Sequence, residues 1–152
     1  MKQFFILLTA IIFFGISLNA QQTAEDSVKA AVNNLFEGMK NADAGLLKEA
    51  FTDSAILQTF TRNNTGQTII RNESVNEFAE SIRKLKPGAA DERIVFETVK
   101  IDGPLASVWT PYNFYFDNKF SHCGVNSFQL VRLNGIWKIQ YLIDTRRKNN
   151  CE

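Results

Sequence analysis

Residues 106–145 read ASVWTPYNFYFDNKFSHCGVNSFQLVRLNGIWKIQYLIDT. Three long runs rich in β-branched and aromatic residues are separated by two short polar breaks, Asp117-Asn118 and Asn134-Gly135. Asn-Gly accepts the positive φ that a two-residue hairpin turn needs at both central positions, so it is the strongest hairpin signal in the chain. The stretch therefore predicts three antiparallel strands, Ala106 to Phe116, Phe120 to Leu133 and Ile136 to Thr145.

Upstream, Arg93 to Ile101 reads as one more strand, turned by Asp102-Gly103-Pro104. Ser74-Val75-Asn76-Glu77 is a capping box opening a helix with Val75, Phe78, Ile82 and Leu85 on one face, ended by Lys86-Pro87-Gly88. Ser54 to Thr61 and Thr68 to Arg71 are short strands around the Asn63-Asn64-Thr65-Gly66 turn. Two helices precede them. The first starts at Thr23-Ala24-Glu25-Asp26 and repeats Val28, Ala31, Val32, Leu35, Phe36 and Met39 at helical spacing. Asp43 caps the second, which carries Leu46, Leu47, Ala50 and Phe51. Helices first and long antiparallel strands after them predict an α+β domain, about three helices packed on one face of a curved, mostly antiparallel sheet.

Before the first helix, Met1-Lys2-Gln3 leads into an apolar run from Phe4 to Leu18, closed by Asn19-Ala20-Gln21-Gln22. Charged, apolar and small-residue segments in that order read as a secretory signal peptide, residues 1–20, with Ala20 the last residue removed. The run is shorter than the roughly 20 residues a spanning helix needs, and no basic residue follows it. The expectation is a single domain over residues 21–152, exported to the periplasm or the medium, without stable membrane insertion after cleavage. Without Lys2, basic and acidic residues balance at 16 each. No basic stripe is left for nucleic acid. Export permits a disulfide between Cys123 and Cys151, but two unpaired thiols fit the sequence as well.

The order of elements, the phrase Asn41-Ala42-Asp43 … Leu46-Leu47 … Phe51-Thr52-Asp53-Ser54-Ala55, and Gly135-Ile136-Trp137-Lys138-Ile139 on the last strand resemble the nuclear transport factor 2-like (SnoaL-like) superfamily. The likeness spans nearly all of the chain after the signal. It implies a sheet wrapped around helices as a cone with an internal pocket, often in a dimer. The superfamily contains isomerases, dehydratases, cyclases, epoxide hydrolases and many binding domains without catalysis, so the resemblance leaves the activity open.

Counting outward from the two turns places Asn113 opposite His122, Trp109 opposite Asn126, Tyr141 opposite Phe128 and Ile143 opposite Asn126. On that register Trp109, Asn113, Tyr115, His122, Asn126, Phe128 and Tyr141 share the helix-facing side and form the expected pocket. Its polar groups are either a satisfied internal network or the polar lining of a ligand cavity. His122 is the only histidine and the candidate acid or base, oriented by Asn113 or by a carboxylate such as Asp53 or Glu97. Asp144 falls on the other side, where Cys123 shares a face with Tyr112 and Arg146. That outer side also carries Phe114, Val125, Val131 and Leu142, enough apolar surface to predict a homodimer through the sheet.

One imidazole and two poorly placed cysteines give no metal site, and no motif calls for a cofactor. The leading reading is an exported domain binding a small, mainly apolar molecule. Two alternatives remain: an isomerase, dehydratase or cyclase using His122, and a dimeric interaction module without a working pocket.

Overall fold

A computed structural model describes residues 23–151. The expected signal peptide, residues 1–20, lies outside the described residues. Three helices, α1 (23–40), α2 (Ala44–Glu49) and α3 (Val75–Arg83), pack on a seven-stranded sheet. The strands are β1 (Phe51–Arg62), β2 (Thr68–Glu73), β3 (Ala90–Ile94), β4 (Thr98–Asp102), β5 (Leu105–Phe116), β6 (Lys119–Leu133) and β7 (Ile136–Arg147). Their order across the sheet is β2-β1-β7-β6-β5-β3, with β4 also on β5. All pairs are antiparallel except β1 with β7. The α+β architecture expected from the sequence is present.

Local signals act where they stand. The Asp43 side chain accepts from the backbone of Gly45 and Leu46 and starts α2. Ser74 and Glu77 form the capping box of α3. Asp117, Asn118, Asn134 and Gly135 all have positive φ, as tight hairpin turns require. The single strand expected over Arg93–Ile101 is instead two, β3 and β4, which pair with successive parts of β5. Between α1 and α2 the backbones nearly touch. A Cβ on Gly38 would lie 2.7 Å from the Leu47 nitrogen, so only glycine allows this approach. Val28, Val32 and Leu35 of α1 and Leu47 of α2 are buried with Phe128, Leu130 and Ile139 of the sheet. Phe36 meets Phe128 edge to face at 6.2 Å between ring centres.

The register corrects the expected pocket. Near the first turn Tyr115 pairs with Phe120, but the next pair is Phe114 with His122, leaving Ser121 as an extra residue in β6. Near the second turn Leu130 pairs with Ile139, but Gln129 pairs with Tyr141, leaving Gln140 extra in β7. Each bulge shifts every later pair by one residue, and with a side-chain period of two this exchanges the faces. Gln140 is held in place from β1: it accepts from Thr52 Oγ1 at 2.8 Å and donates to the Ser54 carbonyl.

Beyond the bulges Asn113 therefore lies opposite Cys123, Trp109 and Ile143 both lie opposite Ser127, and Tyr141 lies opposite Gln129. Trp109, Asn113, Tyr115 and Tyr141 stand on the outer face. Tyr112, Phe114, Leu142, Asp144 and Arg146 stand inside with His122, Asn126 and Phe128. Cys123 thus shares a face with neither Tyr112 nor Arg146, and it forms a disulfide with Cys151, with 5.8 Å between their Cα atoms.

Candidate functional site

The inner face is apolar at its centre, where Leu57, Leu142, Phe128 and Val108 stand in register across four strands. The next inner row is polar: Thr59, Asp144, Asn126 and Thr110. Beyond it come Arg146, Gly124 and Tyr112. A sheet face packed on helices does not normally carry two polar rows.

From those rows Leu57, Leu142, Thr59, Asp144, Asn126 and Arg146 floor a cavity of about 160 Å³ between sheet and helices. Leu35, Phe36 and Met39 of α1 and Phe78 and Ile82 of α3 wall it. Glu92, His122, Asn126, Asp144 and Arg146 line its polar end. Asn126 donates from Nδ2 to Glu92 Oε1 at 2.8 Å. Arg146 Nε donates to Asp144 Oδ2 at 2.8 Å, and the Tyr112 hydroxyl donates to the Thr145 carbonyl at 3.0 Å with the same Asp144 oxygen at 3.3 Å. Burial raises the Glu92 carboxyl to about 7, and the Asp144 charge adds to the rise while Asn126 and Arg146 oppose it. Burial likewise holds the Tyr112 phenol well above its ordinary range, with the charges of Glu92 and Asp144 reinforcing it. A neutral, proton-bearing carboxyl beside a paired carboxylate can give or take a proton near neutrality.

His122 lines this cavity, but its Nδ1 shares a hydrogen bond with its neighbour Ser121 Oγ at 3.1 Å. Its ring lies against Phe114 at 5.0 Å and Tyr112 at 5.7 Å. Burial, with the Arg146 charge, lowers its pKa, so the imidazole stays neutral to lower pH than an ordinary histidine. Neither Asn113 nor the expected Asp53 or Glu97 lines the cavity with it. Of the other residues assigned to the pocket, Asn126 lines it and Phe128 is fully buried in the core. Trp109, Asn113, Tyr115 and Tyr141 do not line it: Arg93 stacks on Tyr115 at 4.1 Å, and Tyr141 donates to Gln58 at 2.6 Å.

Glu92, Asp144, Arg146, Tyr112 and Thr59 were not assigned to the site from sequence. One signal for them was legible. Gly124 interrupts a strand of larger residues, and a glycine there marks a close crossing. Tyr112 makes that crossing, passing over Gly124 to reach β7. A Cβ on Gly124 would collide with the Thr145 carbonyl and sit 2.8 Å from the Tyr112 hydroxyl.

Among the described residues, no group of three or more His, Cys, Asp or Glu is placed to hold a metal ion. No described helix is long and apolar enough to cross a membrane.

Solved structures with the same architecture include an NTF2-like protein of unknown function from Shewanella baltica OS155. It has a TM-score of 0.65 and 14% identity, over 84% of this chain and 96% of that one. Another, from Silicibacter pomeroyi DSS-3, has a TM-score of 0.64 and 15% identity, over 85% of this chain and 98% of that one. An NTF2-like protein from Streptomyces avermitilis described as a "putative dehydratase" has a TM-score of 0.61 and 14% identity, over 84% and 98%. The fold is NTF2-like. Comparison with curated protein sequences gives no match. The model of a family described as "Putative lumazine-binding" matches residues 23–140.

Proposed function

The chain belongs to this lumazine-binding-like family, and from that premise we propose that the domain captures a small molecule inside the cone. The apolar body of the ligand lies against Leu35, Phe36, Met39 and Leu142, and its polar end meets Glu92, Asn126 and Arg146. The observation that carries this reading is the convergence of Glu92, Asn126, Asp144 and Arg146 on a cavity whose helical walls are apolar. The N-terminal signal pattern supports action outside the cytoplasm, and the disulfide is the kind of bond that persists there. Exposed Trp109 and Ile56, with half-buried Ile143, support a homodimer through the outer sheet face, on a patch different from the one first expected.

Native mass spectrometry of the protein from its own host, with a titration of lumazine followed by tryptophan fluorescence, tests the capture. A bound small molecule released by Phe36→Trp, which fills the cavity, is the expected result. A ligand-free protein that also ignores lumazine and small apolar compounds would sink the proposal.

A further inference from the structure

Charge is unevenly matched around the cavity. Glu73, Glu92 and Asp144 line it, against Arg146 as the one lysine or arginine. Arg146 is already paired with Asp144. Glu92 has only the neutral amide of Asn126, on one of its two oxygens. Thr59 lines the same cavity and is 4% exposed, and its hydroxyl is buried without a hydrogen-bond partner. Register places Thr59 beside Asp144, which is itself beside Asn126, the hydrogen-bond partner of Glu92, so one polar row connects Thr59 to Glu92.

Ligand classes meet this arrangement differently. A carboxylate would enter a cavity that already holds three carboxyls. A purely apolar molecule would leave both Glu92 and Thr59 unanswered, and an unmet buried polar group costs about 1–3 kcal/mol. A cationic nitrogen answers both, since an ammonium has three donors and no acceptor. We infer that the cavity takes a basic amine on an apolar, ring-sized body, its ammonium donating to the Glu92 carboxylate and the Thr59 hydroxyl. This rests on the capture reading and adds the chemical class of the ligand.

Binding also moves a proton. In the empty site burial keeps Glu92 protonated up to about pH 7. The arriving ammonium holds the carboxylate form, so the carboxyl proton leaves for solvent while the amine keeps its own. Asn126 from β6 and Asp144 and Arg146 from β7 act on Glu92 directly, Tyr112 from β5 feels its charge, and His122 from β6 and Glu73 from β2 line the same cavity. The linings from α1 and α3 are apolar.

The test is calorimetry with phenethylamine, phenethyl alcohol and phenylacetate, which share a body and differ in charge. At about pH 8 the amine should bind at least about tenfold tighter than the alcohol, and phenylacetate weakest of the three. Between about pH 8 and pH 6 the amine's affinity should fall about tenfold, with proton release shown by buffers of different ionisation enthalpy. Glu92→Gln should lose both the preference and the pH dependence. Proton release in the unaltered protein needs no variant and stands if Glu92→Gln does not fold. Equal or tighter binding of the alcohol or phenylacetate overturns the amine assignment and leaves the capture reading intact. If none of the three binds, the amine assignment is overturned, and the native mass spectrum and the lumazine titration decide the capture reading separately.

Discussion

The Tyr112 ring lies directly over Gly124, and the contact exists because the glycine has no side chain. Through it β5 reaches past β6 to bond with Thr145 and Asp144 on β7. Gly124→Ala must therefore displace either Tyr112 or β7. We expect a loss of about 2–4 kcal/mol in chemical denaturation, within the range for overpacked and strained sites. Tyr112→Phe keeps the ring and removes only the hydroxyl, so a smaller loss of about 1–2 kcal/mol is expected.

Glu92 makes stability depend on pH with a definite sign. Its folded carboxyl sits at about 7, against 4.5 for the ordinary group, so the folded state holds the proton through that window. Stability carried by the protonated form is present below about pH 4.5 and declines as pH rises towards and past 7. Glu92→Gln mimics the neutral carboxyl without titrating. Its melting temperature should exceed that of the unaltered protein at about pH 8 and match it near pH 5. His122 works in the opposite direction, with a lowered pKa that costs stability as pH falls. Because His122 is present in both proteins, the difference between their melting curves isolates Glu92.

The disulfide closes a loop between residues 28 apart, from the middle of β6 to the tail after β7. Loop-closure entropy gives about 3–4 kcal/mol for a loop of that size. A Cys123→Ala, Cys151→Ala double variant should lose about that much by urea denaturation.

Trp109 is 44% exposed on the outer face, an unusual place for so large an apolar ring. If that face pairs two copies, sedimentation at micromolar concentration gives a dimer and Trp109→Asp gives a monomer. A monomer from the unaltered protein would dismiss the pairing.

The fold was legible because its signals are local. Asp43, Ser74 with Glu77, and Asn134-Gly135 each act within a few residues, and the apolar spacing of Val28, Val32, Leu35 and Met39 selects one helix face. The cavity was legible only in part. His122 and Asn126 line it because β6 was assigned to the correct side, whereas Asp144 and Arg146 were missed because a bulge has no periodicity of its own. Ser121 and Gln140 look like ordinary strand residues, and only the pairing of β6 with β5 and β7 makes them extra. Glu92 was hidden differently. It lies on β3, which pairs with β5, and its bond to Asn126 of β6 is made by side chains across the inner face.

The two bulges also determine where this chain tolerates a change in length. Losing Ser121 would leave Tyr115 with Phe120 and Phe114 with His122 as neighbouring pairs of a regular ladder, so every inward residue stays inward. Losing Gln140 does the same for Leu130 with Ile139 and Gln129 with Tyr141. Relatives one residue shorter at either point could keep the same interior. An alignment that places its gap elsewhere in β6 or β7 would set Asp144 or His122 against residues of the opposite face.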